Sequence, residues 1–380
     1  MFKFLYFLFF AMFPFYLFSS GQPQISHLIL VVIYGLILLS MFREFFNVVN
    51  YNIIFLIFMV YILFVNIIWL IITYKISFFV NSLFYMFNIL LFYSTYLLYV
   101  KGLIDANLIR NSILFSLIIQ FLFLLKSGLD FSTRQMLFFN NPNQLGYYAV
   151  ASLNIYFILG FNEVRKRDNI EIIKNLLVYL ISFLLLVFSS SKASLASYFL
   201  ILLFIFYVEF IKSITVSKII FGSFVFLIIL ALISLNMDTI DTIVENTELF
   251  NRTVNAGQES DDSLAGRGYD RITIYYQYLF WGAGEGYFDR FILSHHHGEL
   301  HSTLANILFS YGVIGFLIFL LFFINFDFYI SKVLFLMSPT LLYGLTHNGI
   351  RSPLFWIALA LSLIYSIKRK TDVSFIKKIN

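Results

Sequence analysis

Four of the six histidines in the chain, His295, His296, His297 and His301, fall in the stretch SHHHGELH that precedes a long apolar run. His297 and His301 are four residues apart and would share one face of a helix, a spacing with which two imidazoles can grip zinc. In the helical zinc motif a glutamate directly follows the first histidine. Here Glu299 stands one place further on, so its carboxylate would point elsewhere. The expectation is no metal site, with His295 to His297 as a solvated loop run. His301 differs because it opens the apolar run. Helical spacing sets it in one stripe with Leu304, Leu308, Gly312 and Gly315, and the two glycines would let a neighbouring helix come close. A helix N-terminus disfavours the imidazolium, and a neutral imidazole is what a general base needs. The alternative is an interfacial histidine hydrogen-bonded to the loop.

The second group is basic. In SLAGRGYDRITIYY, Arg267 and Arg271 are four apart and would lie on one face of a short helix, with Asp270 and Tyr275 beside them. Lys192 stands at the end of an apolar run, in SSSKAS, and Arg351 lies in THNGIRSP near the C-terminus. Guanidinium forks grip phosphate oxygens in pairs, so several converging cations would suit a diphosphate. The competing reading is that each cation balances a nearby Asp or Glu. In NNPNQLGYYAVASL a turn leads into a span, and its amides, Asn143 among them, either contact sugar hydroxyls or cap the helix. WGAGEGYFDRF is glycine-rich, but it lacks the lysine, preceding strand and following helix of a phosphate loop. It reads as a substrate-shaping turn, with Trp281 and Tyr287 as sugar-stacking candidates.

These residues need a scaffold, and the composition says which kind. The chain has 380 residues, 61% of them hydrophobic and only 12% charged, with mean hydropathy +0.88 and no cysteine. The class expected is an all-α integral membrane protein, and disulfide, thiolate and Cys–metal chemistry are excluded. Apolar runs predict about twelve spans, at 3–19, 25–42, 51–72, 76–100, 107–126, 143–161, 172–189, 192–211, 217–236, 301–324, 330–346 and 352–367. The first run is read as a span rather than a signal peptide, since no small-x-small cleavage site follows it. An even count puts both termini on one side. The basic segments NEVRKRDN, EFIKSITVSK and the tail IKRKTDVSFIKKIN share that side, which the positive-inside rule makes cytoplasmic. The net charge of +5 then sets orientation and does not point to nucleic acid. The long hydrophilic loop at 237–300, before the third-last helix, is expected on the outer face together with 126–141, 189–192 and 346–353. One polytopic domain, 1–380, is expected, with no cofactor.

The order of these motifs resembles the O-antigen polymerase and O-antigen ligase superfamily: an NPN turn opening a middle span, SSSKAS before the next helix, a large outer loop with GR and WGAGEGYF, then HSTLANILFSYGVIGFLIF. The likeness covers about Asn140 to Phe323. It departs at Lys192, where the family usually has arginine, so the charge is kept and the fork is lost. The resemblance implies a metal-independent glycosyltransferase of the cell inner membrane, moving glycan from undecaprenyl diphosphate to an acceptor hydroxyl at the periplasmic face. His301 would take the acceptor's proton. Arg267 would stabilise the departing diphosphate, helped by Lys192, Arg271 and Arg351, with Asn143 and Tyr275 as further substrate contacts. The partners implied are the lipid-linked oligosaccharide, membrane lipids, a chain-length regulator and a flippase. An O-antigen polymerase of lipopolysaccharide biosynthesis is preferred to a ligase acting on lipid A core. A flippase or other transporter is a further alternative, disfavoured because the charges gather at one mouth instead of mid-membrane.

Overall fold

The computed structural model describes residues 1–19, 22–161, 169–208, 247–254, 263–323 and 329–367. Among them the apolar runs form fourteen helices and no strand: α1 Phe2–Met12, α2 Ile25–Ser40, α3 Phe42–Tyr51, α4 Ile53–Thr73, α5 Ser77–Val100, α6 Ala106–Ser127, α7 Pro142–Gly160, α8 Asn169–Ser189, α9 Lys192–Phe206, α10 Glu248–Val254, α11 Asp270–Ile274, α12 Thr303–Leu321, α13 Ile330–Gly344 and α14 Pro353–Ser366. Eleven of the twelve expected spans coincide with a helix, and the twelfth, 217–236, lies outside the described residues. So do most of the basic segments used for orientation.

A dozen full crossings is not what the helix lengths give. Among the described residues five helices, α4, α5, α6, α8 and α12, are long and apolar enough to cross a membrane, or six if the bent pair α2–α3 counts as one. The apolar helices α1, α9, α13 and α14 have 11, 15, 15 and 14 residues. At 1.5 Å per residue they reach roughly 16–23 Å, short of a hydrocarbon core of about 30 Å. The sequence reading also missed α3, which turns 104° from α2. Its charged Arg43 and Glu44 and its buried Phe45, Val48 and Val49 make it an amphipathic helix, packed on α5 where a loop was expected.

The centre of the bundle is α7 with α14. Every residue from Leu145 to Leu159 is buried, as are twelve of the fourteen residues of α14, which packs on α5, α7 and α13. Helices apolar all round belong in such a position. Gly146 is needed where α7 meets the α8–α9 turn: a Cβ there would sit 2.7 Å from Ser194 Oγ and 2.8 Å from Ser189 Oγ. The small side chains of SSSKAS thus allow a tight turn pressed onto α7, with Ser190 in the left-handed region (φ 49°).

The glycine stripe on α12 works differently from expectation. Gly312 breaks the helix with φ 66° and ψ −177°, a conformation open to glycine almost alone. It is met by loop backbone, since a Cβ on Gly312 would lie 2.2 Å from Phe280 O. The break exposes carbonyls at Phe309 and Ser310, which accept from Ala283 N (2.9 Å) and Gly284 N (2.7 Å), while Val313 N donates to Leu279 O (2.7 Å). Side chains of α4 complete the dock: Tyr61 donates to Trp281 O and Trp69 to Gly282 O, both at 3.0 Å. Deep in an apolar bundle, backbone groups freed by a helix break require such partners. Gly315, one turn on, does serve helix approach, facing the Tyr61 ring.

Candidate active site

The segments expected on the outer face converge. They enclose a cavity of about 360 Å³ lined by Arg134, Asn143, Ser191, Lys192, Ala193, Arg252, Gly266, Arg267, His301, Thr346 and His347. Four of the seven residues singled out from the sequence are here: Asn143, Lys192, Arg267 and His301. Among the described lining residues four are cations, two are histidines and none is acidic.

Each is carried by a recognisable device. Asn141 caps α7, its Oδ1 accepting from Gln144 N at 2.9 Å, with Pro142 opening the helix. That leaves Asn143 in the first turn, where its Oδ1 accepts from Arg134 Nη2 (2.8 Å). Of the two possibilities for this motif, capping falls to Asn141, while Asn143 lines the cavity and holds Arg134. Arg134 also donates through Nε to Ser189 O (3.2 Å), tying its loop to the end of α8. Lys192 opens α9 and donates to Arg252 O (3.0 Å), and Arg252 donates to Ser190 O (2.9 Å), which pulls α10 down onto the turn.

Arg267 donates through Nη1 to Thr346 O (2.8 Å), and its own carbonyl accepts from His301 N (3.0 Å). The proposed base and the proposed diphosphate ligand are therefore joined backbone to backbone. His301 stands just before α12 instead of inside it. Ser302 is the N-cap, its hydroxyl accepting from Ala305 N, and the first helical residue is Thr303. The helix thus fixes His301 from its N-terminal end, without the stripe register expected from spacing.

Three expected binding residues are not brought to the cavity. Residues 264–269 form turns and α11 starts only at Asp270, so Arg267 and Arg271 do not share a helix face. Arg271 is 1% exposed and donates to Ser294 Oγ and His296 O, with its guanidinium 5.2 Å from the Phe291 ring. Burial lowers its pKa from the usual arginine value. Tyr275 packs on Phe291 and accepts from Leu293 N (3.0 Å). Arg351 pairs with Glu285 and, at 2.6 Å, with Glu299. Burial acts to lower the Arg351 pKa, but the two carboxylates outweigh it and hold it above the ordinary value. Glu299, whose position argued against a zinc motif, is thereby committed to Arg351. Trp281 and Tyr287 also lie outside the cavity lining, Tyr287 sitting under Lys75 Nζ at 4.8 Å.

Glu285 itself is fully buried in the glycine-rich turn. It accepts from Tyr85 (2.9 Å), Tyr311 (3.0 Å) and Arg351 Nε (3.0 Å), and its backbone N donates to Asn66 Oδ1 (2.9 Å). The glycines make room for this knot, Gly284 lying against Trp69 and Gly286 against Phe78. Next to it Arg290 is enclosed by aromatic rings, 4.4 Å from Trp69 and 4.6 Å from Phe291, and burial pushes its pKa down to about 10.

Arg134, Arg252 and His347 were not anticipated. Arg134 was legible as a cation in an outer segment, and His347 lies four residues before the Arg351 that drew attention to THNGIRSP. Arg252 had no local signal. Among the described residues no three His, Asp or Glu are grouped so as to hold a metal ion.

No curated protein matches the chain. A family model described as O-antigen ligase matches residues 177–320, from within α8 to within α12, a stretch that includes Lys192, Arg267, Arg271, Tyr275 and His301. The match thus takes in the α8–α9 turn, the loop and the opening of α12, and it supports the placement of this chain in the O-antigen polymerase and ligase superfamily.

Proposed function

We propose that the protein is an O-antigen polymerase of the inner membrane, transferring glycan from undecaprenyl diphosphate to a hydroxyl of another lipid-linked repeat unit at the periplasmic face. The observation that carries this reading is the convergence of His301 with Arg134, Lys192, Arg252 and Arg267 around one cavity. In the reaction the acceptor oxygen attacks the anomeric carbon, and the bond from that carbon to the diphosphate oxygen breaks with its electron pair. His301 takes the acceptor's proton. Negative charge grows on the departing diphosphate, and preorganised cations act most strongly where charge develops in a site shielded from water. General-base help contributes about 10²–10⁴-fold.

A second reading, an O-antigen ligase, is favoured by the description of the matching family. It uses the same cavity and donor and differs only in the acceptor. Deletion of the gene, followed by complementation with wild type or His301→Ala and glycan analysis, tests both. A polymerase deletion leaves one capped repeat unit and a ligase deletion leaves bare core. Complementation by His301→Ala at the wild-type level would reject the base assignment.

A further inference from the structure

His347 belongs to none of the roles assigned so far, yet it lines the cavity with His301 and Arg267. Its ring is fixed from several sides. It stacks on Tyr343 with centroids 4.7 Å apart and planes at 20°, and its Nδ1 lies 3.0 Å from Thr346 Oγ1. The backbone is held as well, His347 O accepting from Thr303 Oγ1 (3.3 Å) and from Gly349 N (3.0 Å). With Nδ1 committed to Thr346, Nε2 is the nitrogen left to meet a ligand. Burial, reinforced by the positive charges of Arg267, Arg134 and Arg252, pushes the His347 pKa down to about 3, so the ring is neutral under physiological conditions.

A neutral imidazole among cations adds no charge to the holding of a diphosphate. What it offers is one directional hydrogen bond suited to an uncharged hydroxyl, and it offers it beside the base that works on the acceptor. We propose that His347 is a specificity-determining residue whose Nε2 hydrogen-bonds a second hydroxyl of the acceptor sugar, orienting the hydroxyl that His301 deprotonates. This rests on the glycosyltransferase reading above and deepens it.

Two isosteric variants separate the nitrogens. His347→Gln places an amide near the position of Nε2, whereas His347→Asn places one near Nδ1 and keeps only the contact with Thr346. The full chain is reconstituted in nanodiscs, and its substrate is the lipid-linked glycan extracted from the deletion strain. Binding of undecaprenyl diphosphate, which carries no acceptor sugar, should match wild type in His347→Gln, His347→Asn and His347→Ala, because the cations remain. The half-saturating concentration for glycan transfer should rise about tenfold in His347→Asn and His347→Ala and stay within about threefold of wild type in His347→Gln, as loss of one hydrogen bond would give. An asparagine variant equal to wild type with a glutamine variant impaired would overturn the proposal, leaving the ring a prop for Thr346. Three variants all equal to wild type would overturn it too. Wild-type protein that transfers no glycan would reject the glycosyltransferase reading itself, an outcome visible without any variant.

Discussion

Two neighbouring regions treat charge in opposite ways. In the cavity, cations donate to neutral oxygens: Arg267 to Thr346 O, Lys192 to Arg252 O, Arg252 to Ser190 O, and Arg134 to Ser189 O and the Asn143 amide. In the knot behind the glycine-rich turn, the cation Arg351 meets two carboxylates, one of them, Glu285, wholly buried and also held by two tyrosine hydroxyls. Carbonyl oxygens orient a guanidinium without cancelling its charge, whereas a carboxylate cancels it. On the proposed function the cations of the first region meet a diphosphate, whereas Arg351 in the second is held by two carboxylates. The second pins three separate stretches of chain, at 285, 299 and 351, next to the residues that line the first.

The difference can be broken from either side. His301→Ala should lower glycan transfer by about 10²–10⁴-fold while leaving the thermal unfolding midpoint of the purified protein unchanged. A matching fall in the midpoint would move His301 into the structural class. Glu285→Ala should do the reverse, costing about 3–5 kcal/mol of stability because Arg351 and two tyrosines lose a buried partner. Poor yield and early unfolding in detergent are the expected signs. If Glu285→Ala is as stable as wild type and selectively inactive, the knot belongs to the catalytic machinery.

A smaller change sharpens the assignment inside the cavity. Arg267→Lys keeps the charge and removes the fork, so transfer should fall about tenfold, with glycolipid binding weakened in step. Arg271→Lys should leave glycolipid binding unchanged and reduce only stability, because the Arg271 guanidinium serves Ser294, His296 and the Phe291 ring. Equal losses of binding in the two variants would mean that the line drawn between cavity and loop interior is in the wrong place.

Run length made the helices legible, and the polar knot SSSKAS marked the α8–α9 turn because one run of that length exceeds a single crossing. The site was legible where a residue sits at the end of an apolar run, as His301, Lys192 and Asn143 do. It was not legible in the loop, where spacing suggested that Arg267 and Arg271 share a face. The glycines at 266 and 268 make turns there, and the two side chains part company. Nor could the sequence say which cations would find carboxylates. Arg351 looked as available as Arg267, and in the structure it is held by Glu285 and Glu299 from distant stretches of the chain, the first of them beside the dock at Gly312. That dock depends on one glycine conformation, which spacing read as a helix-packing surface.

The smallest effect concerns the second histidine. His347 has a folded pKa of about 3 against an ordinary value of 6.5, burial being the main cause. Below pH 6.5 the unfolded chain therefore takes up a proton that the folded chain refuses. The stability contributed by keeping this ring neutral is complete above 6.5 and is lost as pH falls toward 3. The loss at pH 6 is about 1 kcal/mol relative to pH 7.5, and it should lower the unfolding midpoint by roughly 1–2 °C in a protein of this size. His347→Gln has no such proton to refuse, so its midpoint should lack this share of the acid shift. If wild type and His347→Gln lose the same amount between pH 7.5 and 6, the ring is solvated well enough to titrate normally. His347 would then take up a proton in the mildly acid range as the unfolded chain does, and the cavity would gain one more cation.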